Sequence, residues 1–161
     1  MAALSVLAVA VASGKVGYVF LQRGRLQDWG ITVKASENSS ELVGFVQRLI
    51  NELQPDVVVT EDCSEGCRKG KKSKQLIRSL AELASHNSVL DVSVPRPRNF
   101  QSKYEEAQSL VEAHPEITGY LPVRKRRIFD FEPRGMVIFE ALALALEVMK
   151  GPPTKLAAAM G

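Results

Sequence analysis

The sequence predicts an α/β fold: a mixed five-stranded sheet, three antiparallel meander strands and then two parallel strands, with helices on both faces. Three observations predict it. Three short β-like runs open the chain, joined by connections of two or three residues. The hydrophobic period then switches from that of strands to that of helices. From there helical and strand-like stretches alternate, and a helix between two strands makes a right-handed crossover to a parallel neighbour.

The elements follow in order. Residues 4–12 are small and apolar, a first strand that Ser13-Gly14 breaks. Residues 15–22 (Lys-Val-Gly-Tyr-Val-Phe-Leu-Gln) read as a second strand, with Arg23-Gly24-Arg25 as a tight connection. Leu26, Trp29, Ile31 and Val33 alternate loosely and make 26–33 the third. Connections this short imply an antiparallel meander. Leu42, Phe45, Val46, Leu49, Ile50 and Leu53 then share one helical face, with Ser39 or Ser40 as its expected cap and Pro55 beyond its end. A strand over 56–61 comes next, then a helix over 73–86 with Leu76, Ile77, Leu80 and Leu83, and a fifth strand over 89–94. Residues 101–113 are read as a mostly polar helix. The segment 114–133, with three prolines, is read as a loop, and 135–149 as a strongly apolar helix. The expected organisation is one domain over 1–150 and a flexible C-terminal tail over 151–161.

A chain of 161 residues is long enough for one domain with a real core. Its net charge of +3 is mild, but the cations are clustered. Six of them and no acid fall between Arg68 and Arg78, and Arg124-Lys125-Arg126-Arg127 forms a second group. Two basic patches on a nearly balanced chain resemble the footprint of a phosphate-backbone binder. The apolar start lacks a basic flank and is too short to span a bilayer, so a buried strand is expected there, and the cytoplasm as location. Cys63 and Cys67 make no disulfide framework. A zinc site would need them together with His86 or His114. No second cysteine pair exists, and free thiols are expected. No phosphate-binding loop of the Gly-Lys-Ser/Thr kind and no Ser/His/Asp set stands out.

The chemistry concentrates where Pro55-Asp56-Val57-Val58-Val59-Thr60 runs into Glu61 and Asp62. A β-branched run that stops at carboxylates places them at the carboxyl end of a buried strand, the edge where open α/β sheets hold ligands. Arg68, Lys69, Lys71, Lys72 and Lys74 follow, with Gly66 and Gly70 allowing close approach of a sugar-phosphate backbone. Arg96 and Arg98, past the fifth strand, extend the same positive surface. Glu140 is the only acid between Met136 and Leu146, and a carboxylate inside an apolar helix costs several kcal/mol unless paired or metal-bound.

In this element order the chain resembles the RNase H-like superfamily and, within it, the RuvC-type Holliday-junction resolvases. Three stretches carry the resemblance: Val6-Leu7-Ala8-Val9-Ala10 through Gly17-Tyr18, Gln54-Pro55-Asp56 through Thr60-Glu61, and Phe139-Glu140-Ala141-Leu142-Ala143-Leu144-Ala145. The resemblance implies Glu61 and Glu140 as catalytic acids and ligands of Mg²⁺ (or Mn²⁺), a hard cation that activates water and stabilises charge on the phosphate. It also implies a homodimer. The chain departs from the pattern at two of four expected acids, with Ala10 in the first strand and Val137 one turn before Glu140. Asp62, Asp130 and Glu132 are the candidate substitutes.

Three functions follow. The first is a protein that binds nucleic acid, branched or duplex DNA above all, with weak or lost nuclease activity. Its contacts would come from Arg68, Lys69, Lys71, Lys72, Lys74, Arg96, Arg98, Arg124, Lys125, Arg126 and Arg127. The second is a working Mg²⁺-dependent, structure-selective endonuclease. The third is a protein-interaction module on a retained fold. Fold alone does not choose among them.

Overall fold

The computed structural model describes residues 4–63, 69–87, 89–95, 103–121 and 135–150. Its strands are β1 (Ser5–Ala12), β2 (Lys15–Gln22), β3 (Arg25–Thr32), β4 (Val57–Glu61) and β5 (Leu90–Val94). Its helices are α1 (Ser39–Leu53), α2 (Lys71–Ser85), α3 (Lys103–Ala113) and α4 (Met136–Lys150). The five strands form one sheet in the order β3-β2-β1-β4-β5. β1, β2 and β3 pair antiparallel, and β4 lies parallel to both β1 and β5. This is the predicted mixed sheet.

Local chemistry sets the register. At the β2–β3 turn Arg23 and Gly24 both have positive φ (55° and 76°), the two-residue hairpin whose twist matches its strands. The parallel pairing starts at a reciprocal clamp. Ser5 donates its backbone N–H and its hydroxyl to Asp56 Oδ2 (2.9 and 3.1 Å), and the Asp56 N–H donates back to Ser5 (2.9 Å to Oγ). That clamp places Val6 opposite Val57, Leu7 opposite Val58 and Ala8 opposite Val59.

Alternate residues of the central strands feed two cores. Leu7, Val9, Val11 and Val58 pack under α1 and α2 with Leu42, Val46, Leu76 and Leu80. Val6, Ala8, Ala10, Val57 and Val59 pack under α3 and α4 with Phe139, Leu142 and Ala145. Burial on both faces is what makes β1 and β4 near-continuous apolar runs. Tyr18 stands edge-on to Phe45 at 5.8 Å, and Trp29 packs against the α4 side, so both are packing residues.

Three local expectations are corrected. Asn38 rather than Ser39 or Ser40 caps α1, its side chain accepting from the Glu41 N–H at 2.9 Å. Asn-x-x-Glu is a capping pattern, and the serines fall inside the first turn. Helix α2 begins at Lys71 instead of residue 73, because the extended Gly70 ends the preceding connection. Pro115–Tyr120, expected as loop, is a 3-10 turn, with Pro115 at its start where no N–H is needed. The expected tail, 151–161, lies outside the described residues.

Candidate functional site

Glu61 ends β4, the central parallel strand, and is almost fully buried there. The neighbouring strand β5 holds it on one side: Glu61 is opposite Val94, and the Asp62 N–H extends that ladder to the Val94 carbonyl at 2.7 Å. Glu140 comes from the opposite direction, one turn into α4, with a side chain only 4% exposed. Between Met136 and Leu146 the helix is otherwise apolar and packed on the sheet, so Glu140 is enclosed by the cleft instead of facing solvent, while Glu147 further along is half-buried.

One ammonium joins the two acids. Lys69 Nζ lies 3.5 Å from Glu140 Oε2 and 3.8 Å from Glu61 Oε1. It also donates to the backbone carbonyl of Val11, near the end of β1. Three oxygens from β1, β4 and α4 thus converge on the head group of a lysine whose side chain is 16% exposed. Burial of two carboxylates is tolerable only with such compensation, since an isolated buried charge carries a penalty of several kcal/mol.

The two positions where the resemblance expects acids are filled with hydrocarbon. Ala10 and Val137 are both buried in the α4-side core. Ala10 pairs across the ladder with Gly17 of β2, and α4 lies directly over that glycine. A Cβ on Gly17 would stand 2.8 Å from Val137 Cγ1 and 3.0 Å from the Val137 carbonyl oxygen. The missing side chain at Gly17 is what lets α4 come this close.

The residues present do not fit the Mg²⁺ site that the resemblance implies. Mg²⁺ requires near-octahedral oxygen coordination. Here the Lys69 ammonium sits at both acids, while Ala10 and Val137 offer no donor. Among the described residues no cluster of three or more His, Cys, Asp or Glu side chains is placed to hold a metal ion. Zinc finds no support there either, and the expectation of free thiols is corrected. Cys63 is disulfide-bonded. The one other cysteine, Cys67, lies outside the described residues. Cys63 Sγ stands 3.2 Å from Glu61 Oε2, and as a disulfide sulfur it has no proton to donate.

The expected phosphate contacts separate into groups. Lys69 turns inward to the acids. Lys71 and Lys72 are exposed and Lys74 half-buried, all on the first turn of α2. Arg68, Arg96, Arg98, Arg124, Lys125, Arg126 and Arg127 lie outside the described residues, as do the candidate acids Asp130 and Glu132. Asp62 is half-buried beside Glu61. His86 follows the end of α2 and His114 precedes the 3-10 turn, His114 without a side-chain capping bond. Sequence reasoning missed the inward Lys69 and the Val11 carbonyl. The one signal in the sequence was the position of Lys69 beside Gly70, apart from the helix that carries its neighbours.

With this geometry established, solved structures supply the comparison. Thermus thermophilus RuvC in complex with a Holliday junction substrate matches with a TM-score of 0.56 over 89% of this chain and 91% of that one, at 16% identity. The chain has the RuvC-type resolvase fold. The fowlpox virus Holliday junction resolvase matches as well, with a TM-score of 0.58 over 91% of this chain and 99% of that one, at 13% identity. The same viral resolvase bound to junction DNA gives 0.57 at 15% identity, over 91% and 97%. No family model and no curated protein matches the sequence. Among the described residues no helix is long and apolar enough to cross a membrane.

Proposed function

We propose that this protein binds branched or duplex DNA through the cleft edge of its resolvase fold and has weak or no nuclease activity. The composition of the cleft carries the reading: an acid pair bound to a lysine, two hydrocarbon side chains at the other expected acid positions, and exposed lysines two residues further on. Lys71, Lys72 and Lys74 crowd the amino end of α2, which has no acid in its first turn and no side-chain cap. Cations at that end of the helix dipole are unfavourable by about 0.3–1 kcal/mol each unless an anion is present. A phosphate backbone is such an anion. The resolvases with this fold that were solved on junction DNA support the same class of ligand.

The test is a titration of labelled four-way junction, duplex and RNA by anisotropy at two salt concentrations, in the presence of a chelator. The expected result is junction or duplex binding that weakens steeply with salt. Absence of affinity at low salt would favour the interaction module. The enclosed pair Glu61 and Glu140 is the one feature that favours a working endonuclease. Metal-dependent cutting abolished by Glu61→Gln would replace the first reading with that one. The homodimer that the resemblance implies is tested by sedimentation with and without junction.

A further inference from the structure

We propose that the Lys69 ammonium is a tethered cation that fills the acid cleft in place of a divalent metal, so that Glu61 and Glu140 take up such an ion only when Lys69 is removed. This rests on reading the cleft as the counterpart of a resolvase acid site; it does not rest on DNA binding.

The surroundings of Nζ are those of a hard-cation site. Among the described residues its three polar neighbours are all oxygens, contributed by Val11 on β1, Glu61 on β4 and Glu140 on α4. An ammonium has three donors on one compact charge, matching three converging oxygens, where a planar guanidinium would not. The lysine reaches the cleft from a connection that enters it just before α2, and only its head group needs to lie between the acids.

Competition favours the lysine. Mg²⁺ parts with its water reluctantly and binds well only where several carboxylates converge. With Ala10 and Val137 contributing none, the oxygens that the described residues bring to Nζ, and would offer an incoming ion there, are two carboxylates and one carbonyl. The tethered ammonium is present at an effective concentration in the millimolar range or above, and it loses no translational freedom on binding. A two-carboxylate site of ordinary affinity does not displace it. The same geometry gives Lys69 a different role from Lys71 and Lys72. Moving its charge out to a phosphate would leave two enclosed acids without their shared cation.

The experiment uses the full chain without nucleic acid, so its outcome is independent of the DNA titration. Mn²⁺ is the probe, with free ion read by electron paramagnetic resonance and melting temperature read in parallel. The wild-type protein is expected to leave the free Mn²⁺ signal unchanged and to melt within about 1 °C of its metal-free value. Lys69→Met is expected to take up one Mn²⁺ per chain, its melting temperature rising by roughly 3–6 °C at saturating ion. Adding Glu140→Gln to that variant should abolish the uptake. Mn²⁺ uptake by the wild type that is lost in Glu61→Gln would overturn the proposal, and so would a folded Lys69→Met that takes up no ion. If Lys69→Met does not fold, reductive methylation of the wild type decides. Lys69 should react roughly tenfold more slowly than Lys71 and Lys72, at a rate Mn²⁺ does not change, because its ammonium is engaged by buried charge. Acceleration at Lys69 by Mn²⁺ would show the metal displacing the lysine and would overturn the proposal.

Discussion

Val137 lies so close over Gly17 that a methyl group on the glycine would come within 2.8 Å of the valine Cγ1. The helix that carries Glu140 is seated on the sheet through this contact. Gly17→Ala should therefore destabilise the fold by about 1–3 kcal/mol, measured as a lower urea midpoint. Val137→Ala in that background should restore only part of the stability, because the Val137 backbone oxygen stands at 3.0 Å from the same point. Full recovery would mean that side-chain crowding alone sets the helix position.

Ala10→Asp restores a carboxylate at the position where the resemblance expects one. Ala10 is buried among hydrocarbon under α4, so the new charge should lower stability by about 2–4 kcal/mol at neutral pH. With Lys69 in place it should bring no gain in Mn²⁺ affinity. A clear gain from Ala10→Asp alone would argue that the acid site implied by the resemblance is open to metal.

Tyr18 donates to Asp28 Oδ2 at 3.1 Å. Its pKa is pushed up from 10.0 to about 12, first by burial and then by the Asp28 charge and hydrogen bond. The folded state thus keeps the phenol proton at a pH where the unfolded chain has released it. The stabilisation is complete below pH 10 and disappears as pH rises towards about 12. Urea unfolding across that range should show this decline in the wild type and a flatter profile in Tyr18→Phe.

Asp91 on β5 has one carboxylate oxygen buried without a hydrogen-bond partner among the described residues, and burial raises its pKa above the ordinary carboxyl value. A raised carboxyl pKa means that the folded state binds its proton more tightly, so stability contributed by the neutral acid is lost as pH rises through the folded value. Asp91→Asn should raise the melting temperature at neutral pH and change it little in acid. An equal effect at both pH values would show that charge is not the cause.

The order and type of elements were legible because each carries its own period. Leu42, Val46, Leu49 and Ile50 mark a helix face, and the unbroken Val57-Val58-Val59 marks a strand buried on both sides. Glu61 was legible as a strand-end acid and Glu140 as a lone acid in an apolar helix. Lys69 was not legible, because a run of cations in a connection has no period to say which one turns inward. Gly17 showed only as a glycine in a strand. What it accommodates is α4, more than a hundred positions away in the chain. The Cys63 disulfide was not legible, because a count of two thiols says nothing of their geometry.

Lysines of the first turn of α2 should account for part of the affinity for DNA. Replacing Lys71, Lys72 and Lys74 with Ala should weaken junction binding. The slope of log affinity against log salt should fall by about 0.9 for each phosphate that the lysines no longer neutralise. A slope that does not change would place the DNA elsewhere on the surface.

The proposed function is DNA binding by this cleft without a metal and with weak or no cutting. A labelled four-way junction incubated with the wild-type protein, once with chelator and once with Mn²⁺, tests both halves in a single gel series. Equal binding in the two conditions and intact strands in both is the predicted result. Junction strands cut to completion with Mn²⁺ but not with chelator, and left whole by Glu61→Gln, would contradict it.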